Sequence, residues 1–480
     1  MNKRKNIFRV LSLTVAALMI ASMAACAGNK NNTEATEAAQ TASADSATVS
    51  ETAAATQETA KKLTEADITI NETIDNSADS EHAITADGQT ASYKNTKVTK
   101  TGDSNSGDEA DFYGDNAAIF ATNGAALDLS EMVVKTDGTH ANAVFSYGEG
   151  TTVNISDSYI ETSGNCSGGL MTTGGGTMNA SNLTINTSGN SSAAIRSDRG
   201  GGTVNVDGGS YTTSGTGSPV IYSTADITVS NAEMTSTASQ GVVVEGKNSV
   251  TLNNVTLNAD NNKKNSNKSE WYQAVMIYQS MSGDAAQGTS SFTMNGGTLE
   301  NQNGDIFFVN NTATDISLNN AAIVNNDVNG VFLRAAAAGW GSDGSNGGQV
   351  NLNAANQTIN GDMIVDDISV LNLYLKDGST FNGAINSDGA SGDVYVELSG
   401  GSKWVLTGDS YITSLTCDKD SIDLNGHKLY VNGVEYTAGT ATDGSAIEFK
   451  VNSSSGHGNG GTPPDGGRDG GGTPPAKPND

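Results

Sequence analysis

The strongest constraint on this chain is a ten-residue unit that returns eight times in succession between residues 127 and 325, mostly at intervals of 23–26. Each copy is apolar at positions one, three and eight, with Asn, Asp, Gly or once Glu at position five. The first copy places Leu127, Leu129, Glu131 and Val134, a middle one Val250, Leu252, Asn254 and Leu257, and the last Ile316, Leu318, Asn320 and Ile323. Positions one and three alternate as a strand does, so both side chains share a face. Position five holds residues that tolerate a positive φ, as a tight corner requires. Position eight points inward again on a second strand.

Upstream of each copy lies a third apolar stretch, for example Ala117–Ala121, Gly241–Val244 and Asp305–Val309. Three short strands per period describe one coil of a three-sided solenoid whose coils stack in parallel at about 4.8 Å. With an earlier copy around Asn95 and later coils after residue 350, the expectation is an all-β, right-handed parallel β-helix of roughly 11–12 coils, about 50–60 Å long. No helical period of 3.6 follows residue 25. The 480 residues include only 5% aromatics but 57 glycines, which suits a thin core with frequent turns.

Asn at the same corner, coil after coil, resembles the asparagine ladder of right-handed parallel β-helices such as the pectin-lyase-like (pectate-lyase-like) proteins. Stacked amides there bond up and down the rod and satisfy groups that the bend leaves free. The run from Gly401 through Trp404, Asp409 and Tyr411 to Leu415, continued by Ile422 to Gly433, is similar to the last passenger coils of pertactin-type autotransporters. In those proteins this region caps the helix. The membrane barrel that follows it there has no counterpart in this sequence.

The N-terminus reads as an export signal over residues 1–25. Lys3, Arg4, Lys5 and Arg9 precede a short apolar run, Val10 to Ile20, and then Met23-Ala24-Ala25-Cys26. A small-small-Cys ending resembles the bacterial lipoprotein signal, which implies lipidation of Cys26 and a membrane anchor through that lipid. The family pattern prefers Leu where Met23 stands. Residues 26–64 are rich in Thr, Ala, Glu and Ser and read as a disordered tether. Residues 65–450 read as the β-helix, and 451–480, with Gly-Gly-Thr-Pro-Pro twice, as a disordered tail. An exported, envelope-facing protein is the expected location.

A net charge of −28 argues against nucleic acid and against adsorption to anionic lipid. Cys166 and Cys417 lie about ten coils apart, too far to bridge, and are expected as lone buried thiols. Pectin-degrading hydrolases of the resembled fold carry Asn-x-Asp, Asp-Asp, Gly-His-Gly and Arg-x-Lys on consecutive coils. Only Asp366-Asp367 and Gly456-His457-Gly458 match, roughly ninety residues apart, so no catalytic residue is assigned. Arg196 and Arg334 fall on equivalent strands about five coils apart, and Asp198 with Arg199 reads as a local turn ion pair. His82, His140, His427 and His457 show no ligand spacing, so no metal or cofactor is expected.

What remains is surface. The first strand of each coil is apolar on both faces, as in Val242-Val243-Val244 and Ile306-Phe307-Phe308, so its outside is either covered by turns and residues 66–113 or offered to a ligand. Coils expand at 260–273, 279–291 and 335–349, and the last two are expected to project side by side. Trp271, Tyr272, Tyr278 and Trp340 gather near these expansions and are the candidate ligand-binding residues, suited to sugar faces or a partner protein. Loop pinning by Trp271 and Trp340 is the structural alternative. The expected role is adhesin-like binding of a glycan or surface protein, with an unrecognised carbohydrate-active enzyme or a structural spacer as alternatives.

Overall fold

The computed structural model describes residues 62–450. Glu72–Asn76 precedes eleven complete three-strand coils, which run from Ile84–Asp87 to Thr380–Asn382. Each of the first nine coils contributes one strand to each of three long sheets; in the last two coils the third strands, Thr358–Asn360 and Thr380–Asn382, belong to a separate four-stranded sheet. The first sheet collects the upstream stretches, such as Val144–Tyr147 and Gln273–Tyr278. The second and third collect the two halves of the ten-residue unit, such as Thr152–Ser156 and Tyr159–Thr162. Apart from two short pairings at the C-terminal end, all the strand pairings are parallel. The chain is therefore an all-β parallel β-helix, as the repeat implies.

Register follows the repeat position by position. Val153 pairs with Met178 and Met178 with Val204, so position-one side chains stack inside the rod. The apolar residues at positions one, three and eight of all eight copies are buried. Burying each Val, Leu, Ile, Met or Phe among them contributes about 1.5–3 kcal/mol. The corner residues Glu131, Asp157, Asn182, Asn231, Asn254 and Asn320 have φ between 49° and 55°. Their side chains join up the rod: Asn182 Nδ2 donates to Asp157 Oδ1 at 2.6 Å and Asn254 Nδ2 to Asn231 Oδ1 at 3.1 Å.

A second ladder lies at the turn between the third and first sheets. Ser167, Ser192 and Ser218 each donate to a glycine carbonyl of the preceding coil, those of Gly138, Gly164 and Gly189, at 2.8–3.0 Å. A Cβ on Gly164 would collide with the Gly138 carbonyl, so the stack requires glycine there. The recurring Thr-Ser-Gly of 162–164, 187–189 and 213–215 is the sequence trace of this ladder.

Near the C-terminus Trp404 is fully buried, stacks on Phe381 at 5.5 Å and donates from Nε1 to the Gly383 carbonyl at 2.9 Å. Thr442–Asp443 returns antiparallel to Ser414–Cys417, and Ile447 exchanges backbone bonds with the Asn372 amide on the second sheet. Cys417 is a free buried thiol. Cys166 is buried in the turn between the third and first sheets, at φ 56°.

Candidate functional site

The outward row of the first sheet runs Phe120, Phe145, Met171, Arg196, Tyr222, Val243, Met276, Phe308, Arg334. Such a row cannot stay in water, and two covers bury it.

The first cover is a helix the repeat did not foretell, α1 (Gly107–Tyr113). It starts after Ser106, carries Asp108 and Glu109 in its first turn and ends on Gly114 at φ 81°. Seven residues are too few to show a helical period. Asp111 reaches from α1 to His140 Nδ1 at 3.1 Å and to Arg196 Nη2 at 3.3 Å. Burial pushes the Asp111 carboxyl up, but Arg196 and His140 outweigh it and hold its pKa down. Arg196 also pairs with Asp198 at 2.9 Å, and burial pushes Asp198 up to about 7. The expected turn pair is thereby corrected: Arg199 instead ion-pairs with Asp284, at 2.7 Å, while stacking on Phe112 at 3.9 Å. The Arg199 side chain reaches across the cover to Asp284, and Arg196 takes Asp198. Asp111, His140 and Cys166 bring one ligand atom each within 4.8 Å of one another, a convergence hidden by their spacing of 29 and 26 residues. With the Asp111 carboxylate held by His140 and Arg196, the cluster is accounted for as structure.

The second cover is built by the expanded loops, and it leaves a pocket. Residues 260–273 fold back over the turn at Gly217 and Pro219, and the Gly339 N–H donates to the Lys268 carbonyl at 2.7 Å. The pair of expansions that meets is therefore 260–273 with 335–349. The 279–291 loop sends Asp284 to Arg199, and its first residue and the 335–349 loop flank Asn311, which donates from Nδ2 to the Gln279 carbonyl and from its backbone N–H to the Asn346 carbonyl, both at 2.9 Å.

Trp271, Tyr272, Tyr278 and Trp340 all line this one pocket, of about 110 Å³. Tyr278 is buried and the other three are half-buried. Trp271 lies 5.6 Å from Phe308 with the Arg334 guanidinium 4.7 Å over its ring, and Trp340 meets Tyr278 edge-on at 5.2 Å. Arg334 itself is held by Asp305 at 2.6 Å. The tryptophans thus pin their loops and also wall the pocket.

Sequence reasoning missed the floor and the polar lining. The Tyr222 and Tyr278 hydroxyls both donate to Glu245 Oε2, the second at 3.0 Å, and burial raises the Glu245 pKa. Gln273 is 2% exposed, lines the pocket, and its Oε1 has no hydrogen-bond partner. Neither Glu245 nor Asp198 lines the pocket, so no acid is presented to a bound molecule. A glutamine at the start of a first strand was readable, but nothing in one sequence says it stands under a loop.

A larger furrow of about 490 Å³ runs along the second sheet. Its amides satisfy one another, Asn179 donating to Asn154 at 2.9 Å and Asn205 to Asn179 at 3.0 Å. It is lined by short polar side chains without an aromatic ring, so it lacks the convergent anchors that mark the smaller pocket.

Other candidates resolve as structure. Asp366 accepts from the Ala337 N–H and the Ser369 hydroxyl, both at 2.6 Å, as a turn cap. His82 stacks on Phe120 at 4.5 Å, and His427 stands 3.9 Å from Asp409. Cys26 and His457 lie outside the described residues. No helix among the described residues is long and apolar enough to cross a membrane. No family model and no curated protein matches the chain.

Proposed function

We propose that this protein is an exported, lipid-anchored β-helix of the pectin-lyase-like kind, which binds a glycan in the pocket between loops 260–273 and 335–349. The observation that carries the reading is the convergence of Trp271, Tyr272, Tyr278 and Trp340 on one small pocket from two separate stretches of chain, 271–278 and the 335–349 loop. Aromatic faces suit the C–H faces of sugar rings, and the Gln273 acceptor suits a hydroxyl. A small pocket of this kind supports an adhesin-like role, in which one ring is gripped and the rod holds it away from the envelope.

The test is a glycan array probed with the full-length chain, followed by Trp340→Ala and Tyr272→Ala. Each substitution is expected to weaken retention of the array hit about tenfold or more, equivalent to at least 1.4 kcal/mol. The main melt of the rod should persist, because its core lies on the other side of the first sheet. Unchanged retention by both variants would remove the pocket from the account.

For the anchor, Cys26→Ser is expected to move the protein from the membrane fraction to the medium. A lipidated cysteine carries its sulfur as a thioether, which cannot enter a disulfide. Peptide mapping that found Cys26 joined to Cys166 in the native protein would overturn the anchor.

A further inference from the structure

The charge lining the pocket is opposite to the charge of the molecule. The chain carries 53 Asp and Glu against 25 Lys and Arg, yet the only charged residues lining this pocket are Lys263 and Lys264. A third lysine, Lys268, lies on the same loop with Nζ 5.7 Å from the Trp340 ring. Among the described residues none of the three makes an ion pair. Lys264 Nζ donates to the Glu270 carbonyl at 2.8 Å and sits 5.3 Å from the Tyr272 ring centre. An ammonium has three donors, so two remain for a ligand.

We infer that the pocket selects a glycan whose terminal sugar carries an acidic group, a carboxylate or sulfate. This rests on the glycan-binding reading above. Lys263 and Lys264 take the anion at the mouth, the aromatic walls take the ring, and the buried Gln273 Oε1 accepts from a ring hydroxyl. Its orphaned acceptor is the second, independent sign of a missing donor. The volume of about 110 Å³ falls well below that of ordinary ligand pockets, so a single end residue enters and a polymer does not run through. A clear spot of positive charge on an acidic rod also steers anions to that spot and away from the rest.

The experiment uses the full-length chain and immobilised oligosaccharides matched in length, ending in a uronic acid, a sialic acid, a sulfated hexose or the corresponding neutral hexose. At least one acid-ended probe is expected to bind about tenfold or more tightly than its neutral match, and to weaken as salt rises. Which acid wins identifies the source of the anion. Lys263→Gln with Lys264→Gln should abolish the preference for the acid, and Lys264→Arg should retain it. Equal affinity for acid and neutral ends, or a preference that survives the double substitution, overturns this inference and leaves glycan binding standing. Retention of an acidic peptide in place of every saccharide overturns both readings.

Discussion

The first and second sheets are built from the same coils at the same spacing, and their outer faces are opposite in kind. Along the second sheet the outward row reads Asp128, Asn154, Asn179, Asn205, Thr228, Thr251, Thr293, Ser317. Its residues are short and polar, the four from Asp128 to Asn205 are bonded to each other, and the face stays bare over most of its length. Along the first sheet the outward row is large and mostly apolar, with two arginines, and every stretch of it lies under α1 or a loop. Strand alternation thus survives on the second sheet and fails on the first because only the first has something to bury against. Function follows the same division. A self-satisfied ladder has few groups left to offer a ligand, whereas loops laid over an apolar floor leave crevices with unpartnered atoms.

The contrast is broken most directly by truncating one residue from each row. Phe308→Ala removes a fully buried ring from the outer face of the first sheet and is expected to destabilise by roughly 3–5 kcal/mol. Asn179→Ala, in the second row, interrupts two ladder bonds at the surface and should lose about 2 kcal/mol or less. Denaturant melts of the two variants read the difference. Similar losses would mean that the loops do not hold the first sheet as described.

Corners give a smaller effect. Asn254 sits at φ 55°, where a β-branched side chain is strained and glycine is not. Asn254→Val should be less stable than Asn254→Gly by roughly 1–2 kcal/mol. Equal melting temperatures would dissolve the link between position five and corner geometry.

A different kind of effect concerns pH. Asp198 is pushed up to about 7 by burial beneath α1 and the loops, against about 3.9 in an unfolded chain. Between those values the folded protein holds a proton that the unfolded chain has released. The contribution of Asp198 to stability therefore falls as pH rises from about 4 to about 7. Asp198→Asn should flatten the dependence of melting temperature on pH in that window, even if it shifts the whole curve through its effect on Arg196. Parallel curves for wild type and variant would show that Asp198 does not titrate there.

How much of this was legible depended on whether a feature repeats. The inward rows, the left-handed corners at Asn231, Asn254 and Asn320 and the five-coil separation of Arg196 from Arg334 could all be read from spacing. So could the list of candidate aromatics, since Trp271, Tyr272, Tyr278 and Trp340 stand where the period is interrupted. Features that occur once could not be read this way. Helix α1 is shorter than two full helical repeats, and the partner of Arg199 is 85 residues distant in sequence.

By itself, then, the sequence determined the repeating unit, its stacking and the faces that needed a cover, because a period of one coil forces every equivalent residue into the same environment. Only the tertiary structure decided which segments provide the cover. Loops 260–273 and 335–349 and the segment carrying α1 are non-repeating, and their resting places depend on single long-range contacts such as Gly339 with Lys268 and Asp111 with Arg196. That is also why the four aromatic residues could be named from the sequence while the pocket they form, its lysine mouth and its buried Gln273 could not.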